Sequence, residues 1–266
     1  MSRKVRLDAE LVRRGLARSR EQAADLIAAG RVAVSGQTAG KAATQVGQDA
    51  AITLRDAGAD PDYASRGGRK LAGALLAFAE LAVEGRRCLD AGASTGGFTD
   101  VLLRAGAAHV VAVDVGYGQL AWPLRSDPRV TVLDRVNVRG LLPEQVAPAP
   151  GLVTADLSFI SLALVLPALA ACAAADADFV LLVKPQFEVG KGRVGAGGVV
   201  RDPALREEAV ASVADAARRI GLGTRGVTAS SLPGPSGNVE YFLWLRRGAP
   251  ELDRAALRLA ITEGPP

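Results

Sequence analysis

Between Arg87 and Leu245 seven short apolar runs recur, and stretches of helical spacing separate most of them. The runs are Arg87–Ala91, 110–114, 130–133, 152–156, 179–184, 224–228 and 239–245. Strands that read as near-continuous apolar runs, each followed by a helix, form a mostly parallel sheet covered on both faces. A further helix is expected ahead of them, over about 70–82. The last two runs are joined only by Pro233-Gly234-Pro235-Ser236-Gly237. That link is too short for a crossover, so the final strand should run antiparallel. The predicted class is therefore α/β, with seven strands.

The first sixty residues have a different texture. Leu7, Leu11 and Leu16 fall on one helical face, and Gly15 closes that helix. Ser19 caps a second helix that runs through Ala29 to Gly30. Short strands follow at Arg31–Val34 and 51–54, the first entering a turn at Ser35-Gly36-Gln37. Two helices and a hairpin make a small α+β module. Asp56-Ala57-Gly58-Ala59-Asp60-Pro61-Asp62 then reads as a break. The expected division is a domain over 1–60, a linker over 61–66 and a larger domain over 67–266. Residues 1–41 carry nine Lys or Arg against four Asp or Glu, an excess of five in a chain whose whole excess is four. Such an end suits a polyanion, although charge alone equally describes a solvated face.

Composition removes several classes. One histidine (His109) and two distant cysteines (Cys88, Cys172) offer no zinc-ligand spacing, so no metal is expected. The cysteines lie in apolar runs and read as small buried hydrophobes of a reducing compartment. Met1–Arg6 has no apolar core of a signal peptide, which points to the cytoplasm. Residues 159–175 are nearly uncharged, but Pro167 interrupts them and Asp156 and Asp176 flank them. They read as a helix buried on the sheet, not as a membrane span.

The first strand ends in Leu89-Asp90-Ala91-Gly92-Ala93-Ser94-Thr95-Gly96-Gly97-Phe98. Glycines between a strand and a helix let backbone N–H groups approach a ligand closely. The next strand ends in Asp114, where a carboxylate can accept hydrogen bonds from ribose hydroxyls. Together these indicate a nucleoside cofactor. No Gly-Lys-Ser/Thr follows, which excludes a P-loop. NAD is disfavoured because Ser94 stands at the second glycine of the dinucleotide fingerprint. Gly92-Ala93-Ser94-Thr95-Gly96 also matches a hydrolase nucleophile elbow, but the only histidine follows it by 15 residues, at a strand entrance.

Charged residues stand at two further strand ends. Asp156 closes the fourth strand, and Lys184, before Pro185, closes the fifth. In open α/β sheets the ligand crevice lies outside these carboxyl ends. A lone lysine there is usually a surface charge; an Asp and a Lys on neighbouring ends are less easily dismissed. Lys70 falls near the start of the leading helix, and Glu240 falls within the last strand, where alternation with Val239 and Tyr241 would point it at solvent.

Seven strands ending in an antiparallel hairpin resemble the class I (Rossmann-like) methyltransferase fold. On that frame Lys70, Asp156, Lys184 and Glu240 resemble, in order, the Lys-Asp-Lys-Glu tetrad of RNA ribose 2′-O-methyltransferases. Ser65-Arg66-Gly67-Gly68-Arg69-Lys70-Leu71, Asp90–Thr99 and Leu182-Val183-Lys184-Pro185-Gln186-Phe187-Glu188 resemble the TlyA (haemolysin A) family, with its FtsJ-like catalytic domain. Arg6-Leu7-Asp8 and the two helices after it are similar to the S4 RNA-binding domain that opens those proteins. Arg69 departs from the family, which has histidine there.

The resemblance implies S-adenosylmethionine as cofactor and cytidine 2′-O-methylation of 16S or 23S ribosomal RNA in ribosomal subunits, with loss tied to capreomycin-type resistance. It implies Lys184 as proton acceptor, Asp156 orienting it, and Lys70 and Glu240 holding the ribose. It assigns Asp90, Gly92, Ser94, Gly96, Gly97 and Phe98 to the amino-acid portion of the cofactor, Asp114 to its ribose, and Asp134 or Asn137 to its adenine. Arg3, Lys4, Arg6, Arg13, Arg14, Arg18, Arg20 and Arg66 are the candidate RNA contacts. The basic loop at 190–198 either closes over RNA or is an idle flexible loop. Two other readings stay open: a membrane-active haemolysin, as the family's second name suggests, and a non-catalytic RNA-binding protein.

Overall fold

The computed structural model describes residues 4–28, 30–47, 50–54 and 63–265. The expected break at 56–62 and the candidate RNA contact Arg3 lie outside the described residues. The chain divides into two compact units, Met1–Asp62 and Tyr63–Pro266.

The amino-terminal unit runs β1 (Lys4–Arg6), α1 (Leu7–Arg13), α2 (Arg20–Ala28), β2 (Val32–Val34), β3 (Gln37–Thr38), β4 (Gln45–Gly47) and β5 (Ile52–Leu54). The helix ends match their signals. Gly15 adopts φ +68° past α1, and the Ser19 hydroxyl accepts from the Gln22 N–H at the start of α2. β2 pairs antiparallel with β3 and β5, and β1 with β4. Leu7, Leu11, Ala23, Leu26, Ile27, Val32 and Ile52 form its core. The β1–β4 pair has no sequence signature: both strands are three residues long, and Val46 is the one buried residue among them.

The second unit begins with α3 (Arg66–Ala77), followed by β6 (Arg87–Ala91), α4 (Gly97–Arg104), β7 (His109–Asp114), α5 (Trp122–Arg125) and β8 (Val130–Asp134). Next come α6 (Pro143–Val146), β9 (Leu152–Ala155), α7 (Leu162–Cys172), β10 (Asp178–Val183) and α8 (Pro185–Glu188). The chain then forms α9 (Pro203–Arg219), β11 (Leu222–Ala229), β12 (Tyr241–Arg247) and α10 (Arg254–Glu263). The sheet order is β11-β12-β10-β9-β6-β7-β8. β12 runs antiparallel to both neighbours, and the other five paired strands run parallel. This is the expected seven-stranded class I methyltransferase sheet.

Two cores cover its faces. Leu71, Ala74, Phe98, Leu102 and Leu124 pack on one face, and Leu162, Leu166, Leu169, Val210, Val213 and Leu257 on the other. The apolar run at 159–175 becomes α7, shorter than its hydropathy suggests. Ser161 caps it through the Ala163 N–H, and Phe159 stays outside. No described helix is long and apolar enough to cross a membrane.

Two boundaries differ from expectation in ways that shape the site. α3 begins at Arg66, four residues early, despite Gly67 and Gly68. A Cβ on Gly68 would lie 2.5 Å from the Cβ of Tyr63 and 3.0 Å from the Gly97 carbonyl oxygen. Here glycine permits close packing and does not stop the helix. β12 begins at Tyr241, so Glu240 sits in the turn before it and not inside it.

Candidate active site

Four segments deliver the charged residues to the carboxyl edge of the sheet. β9 and β10 lie in parallel register, Ala155 beside Leu181, so Asp156 and Lys184 leave neighbouring strand ends. Lys184 Nζ stands 2.5 Å from Asp156 Oδ1 and donates to Ser158 Oγ at 3.0 Å. Val183 pairs with Tyr241 across β10 and β12, which brings the Glu240 turn beside Lys184. Glu240 Oε2 accepts from Lys70 Nζ at 2.6 Å. A Cβ on Gly67 would lie 3.7 Å from Asp156 Oδ2. Gly67 and Lys70, three apart, share one face of α3, so the first turn of that helix overlooks both pairs.

The two ion pairs differ in exposure. The Lys70 and Glu240 side chains are 6% and 1% exposed, whereas those of Lys184 and Asp156 are 11% and 22% exposed. The first pair forms an inner wall, and the second opens to solvent where a substrate can reach it. Glu240 was expected to face solvent but is buried. Its turn is fixed because the Gly234 N–H donates to the Asn238 carbonyl, and any Cβ on Gly234 would strike Glu240 Oε1. Arg66 donates from Nη2 to the Pro233 carbonyl, tying the start of α3 to the same turn.

The glycine-rich motif follows β6 as expected, and its residues fall into two groups. Gly92 and Ser94 lie at the accessible end, with φ of +87° and +47°. A Cβ on Gly92 would lie 2.5 Å from the Asp156 carbonyl oxygen, so glycine is required where the two strand ends meet. Gly96, Gly97 and Phe98 are buried. At Gly96, φ is +100°, and a Cβ would meet Leu120 and Leu124. Gly97 abuts Ser65 and the Gly68 N–H, and Phe98 packs on Phe242 at 6.0 Å between ring centroids. Asp90 is fully buried; its Oδ2 accepts from Thr99 Oγ1 at 2.6 Å, while Oδ1 has no partner. Burial pushes its carboxyl up to about 7, with the Thr99 hydrogen bond opposing the shift and the Asp156 charge adding to it.

Asp114 and Asp134 sit at paired positions on β7 and β8. Asp114 accepts from the Ser94 N–H at 2.8 Å and the Gly116 N–H at 2.7 Å, which sets the loop against the strand end. Asp134 pairs with Arg125 at 2.9 Å and accepts from the Gly118 N–H at 3.3 Å. Asp134 takes both contacts on Oδ2, which leaves Oδ1 for a ligand hydroxyl or amine, and each Asp114 oxygen keeps a lone pair. Asn137 spends its side-chain oxygen on the Arg139 N–H at 3.0 Å, as the cap of a short turn.

Two features escaped the sequence reading. Phe159 is 91% exposed beside the Asp156–Lys184 pair, its φ is +65°, and its ring stands 5.1 Å from that of Phe187. An aromatic three residues past each strand-end charge was the available signal. The loop at 190–198 is also anchored: Asn238 donates to the Gly198 carbonyl and accepts from the Val200 N–H, and Arg193 pairs with Glu208.

The hydrolase reading fails on topology. His109 opens β7 and bonds Thr131 Oγ1 at 2.8 Å, whereas Ser94 lies at that strand's far end beside Asp114. Five residues of strand put about 17 Å between them. Both cysteines are buried and free. Among the described residues no three His, Cys, Asp or Glu side chains group as a metal site.

In the amino-terminal unit the candidate arginines are arranged around two buried acids. Asp8 holds Arg6 and Arg20, and Glu10 holds Arg13 and Arg14, with Arg14 also donating to the Ala50 carbonyl. Lys4 and Arg18 are exposed.

Comparison with known proteins agrees with both units. Residues 63–247 match the FtsJ-like methyltransferase model, and residues 5–52 match the S4 domain model. The chain is 62% identical over 273 residues to the 16S/23S rRNA (cytidine-2′-O)-methyltransferase TlyA of Mycobacterium tuberculosis, covering 100% of both. It is 37% identical to hemolysin A of Brachyspira hyodysenteriae, over 89% of this chain and 98% of that one. A solved protein from Streptococcus thermophilus is 37% identical with a TM-score of 0.78, over 99% of this chain and 96% of its own. The buried and exposed Lys–carboxylate pairs, the glycine turn and these matches agree: the chain belongs to the TlyA family, FtsJ-like methyltransferases that open with an S4 domain.

Proposed function

We propose that this chain transfers the methyl group of S-adenosylmethionine to the ribose 2′-hydroxyl of cytidine in 16S ribosomal RNA, 23S ribosomal RNA or both, within ribosomal subunits of the cytoplasm. The observation that carries the reading is the paired arrangement of Lys70–Glu240 and Asp156–Lys184 at one edge of a methyltransferase sheet. The M. tuberculosis relative bears the same activity in its name.

S-adenosylmethionine, when bound, supplies an electrophilic methyl on a sulfonium. The residues present suit it. Asp114 and Asp134 offer acceptors for its hydroxyls and adenine amine, and the Gly92–Ser94 turn lets backbone reach its amino-acid end. Asp90 is sealed from solvent and acts behind that turn, holding α4 through Thr99.

A ribose hydroxyl is a weak nucleophile until it loses its proton. Lys184 is the residue placed to accept that proton: Asp156 and Ser158 steer its Nζ, and loss of the proton readies the ribose oxygen for the methyl group that S-adenosylmethionine would supply. Lys70 and Glu240, locked together, form the rigid wall against which the ribose is placed, and positioning supplies much of the rate. Phe159 offers an exposed ring on which a base turned out of its helix can stack. Arg6, Arg18, Arg20 and Lys4 serve RNA phosphates, while Arg14 braces the fold.

The test is transfer of labelled methyl to ribosomal subunits, with mapping of 2′-O-methyl cytidine. Lys184→Ala should lower transfer at least about 10²-fold while cofactor binding persists. Normal turnover by that variant would remove the proton-acceptor role.

A further inference from the structure

Asp8 is buried near the start of α1, and four donors converge on it. Its Oδ1 accepts from Arg6 Nε at 3.0 Å and the Ala9 N–H at 2.9 Å. Its Oδ2 accepts from Arg6 Nη2 and Arg20 Nη2, each at 2.9 Å. Two guanidinium groups from different elements thus share one oxygen, and their nearest nitrogens can be no farther apart than twice that distance. Unaided, two such cations repel; the carboxylate between them cancels one charge and sets both planes. The Arg6 hydrogen bond above all holds the Asp8 carboxyl well below the usual range, so it stays ionised.

The outward side of this trio is open. The Arg6 and Arg20 side chains are 46% and 60% exposed. Arg6 Nη1 and Arg20 Nε and Nη1 have no protein partner among the described residues. Glu10 provides the contrast within the same unit. It takes Arg13 and Arg14 from one stretch of chain; Arg13 is 56% exposed, but Arg14 is further spent on the Ala50 carbonyl and is 22% exposed, so only one guanidinium is left to solvent. Satisfying a buried acid can be done locally, as Glu10 does. Asp8 instead reaches across to α2 and leaves two guanidinium forks facing solvent. Forks of this kind match phosphate oxygens in geometry and charge.

We propose that Asp8 is a positioning residue for RNA, holding Arg6 and Arg20 as one two-pronged receptor for a single backbone phosphate. The proposal rests on the RNA-binding reading of the amino-terminal unit. It also reverses the outcome of simple charge counting. Removing an acid from a basic surface should tighten RNA binding; removing this one should weaken it, because the two arginines separate.

The experiment uses the full chain and purified 30S and 50S subunits at several KCl concentrations. Asp8→Asn should weaken binding about 10-fold and lower the slope of log affinity against log salt by about 0.7–0.9, the loss of one phosphate contact. Arg20→Gln should do the same, and Asp8→Asn combined with Arg20→Gln should be within about 2-fold of either alone. S-adenosylmethionine affinity should not change. If Asp8→Asn binds subunits as tightly as wild type or tighter, the positioning role is overturned. If the Arg6→Gln/Arg20→Gln double variant also binds normally, the RNA reading falls with it. Should Asp8→Asn fail to fold, Arg20→Gln decides alone, since it leaves the Arg6–Asp8 bridge in place; unchanged affinity and slope would then overturn the proposal.

Discussion

Glu240→Ala tests the inner wall of the site. It leaves Lys70 Nζ, whose partner now stands at 2.6 Å, in a place where the lysine side chain is only 6% exposed. Removing one member of a buried pair costs about 3–5 kcal/mol, because the remaining charge stays desolvated without compensation. In a domain of 150–250 residues each kcal/mol shifts Tm by roughly 2–4 °C, so the second unit should melt about 6–20 °C earlier. Replacing both partners with apolar residues, Lys70→Met with Glu240→Leu, removes the stranded charge and should restore most of that stability. Methyl transfer to ribosomal subunits should remain abolished in the double variant. Thermal melting and labelled-methyl transfer on the same three proteins separate the two effects. A loss below about 1 kcal/mol in Glu240→Ala would mean the pair is not a desolvated one. Methyl transfer by the Met/Leu variant would refute the placement of Lys70 and Glu240 in the catalytic machinery.

Three further outcomes follow from the same geometry. Asp90 carries a carboxyl raised from 3.8 to about 7 by burial, so the folded state binds its proton more tightly than the unfolded chain; the stability it contributes is complete below about pH 4 and lost as pH rises through 7. The stability of Asp90→Asn relative to wild type should therefore grow with pH across that window in denaturant melts, and a flat difference would contradict the desolvation of that carboxyl. Gly92→Ala puts a Cβ 2.5 Å from the Asp156 carbonyl at φ +87°, which should cost about 1–3 kcal/mol and slow methyl transfer; wild-type stability by chemical denaturation would show that the turn tolerates a side chain. Deleting residues 1–60 should weaken subunit binding far more than S-adenosylmethionine binding, as read by filter binding and calorimetry, and equal subunit affinity would defeat the RNA role of the amino-terminal unit.

The sheet was legible because its strands are buried on both faces and so read as unbroken apolar runs, from Val110 to Val113 and from Phe179 to Val183. The charges at its edge were legible for the same reason: an Asp or Lys that closes such a run has nowhere to go except the crevice. Glu240 was not, because period-two alternation holds only inside a strand, and the strand starts one residue later. What buries Glu240 is the packing of Gly234 and the reach of Lys70 from 170 residues away, neither of which has a local pattern. The glycine motif shows a related limit. Glycine serves a turn that admits the Asp156 backbone at Gly92 and a helix that admits another helix at Gly97, and the letter is the same. In the amino-terminal unit, summing charge treats Asp8 and Glu10 as cancellation of nearby arginines. In the fold those two acids are the fixed points: Glu10 ties Arg13 and Arg14 to α1, while Asp8 joins its neighbour Arg6 to Arg20, 12 residues beyond Asp8 in the chain. Electrostatic function here depends on which cations an anion orders, and a net charge discards that information.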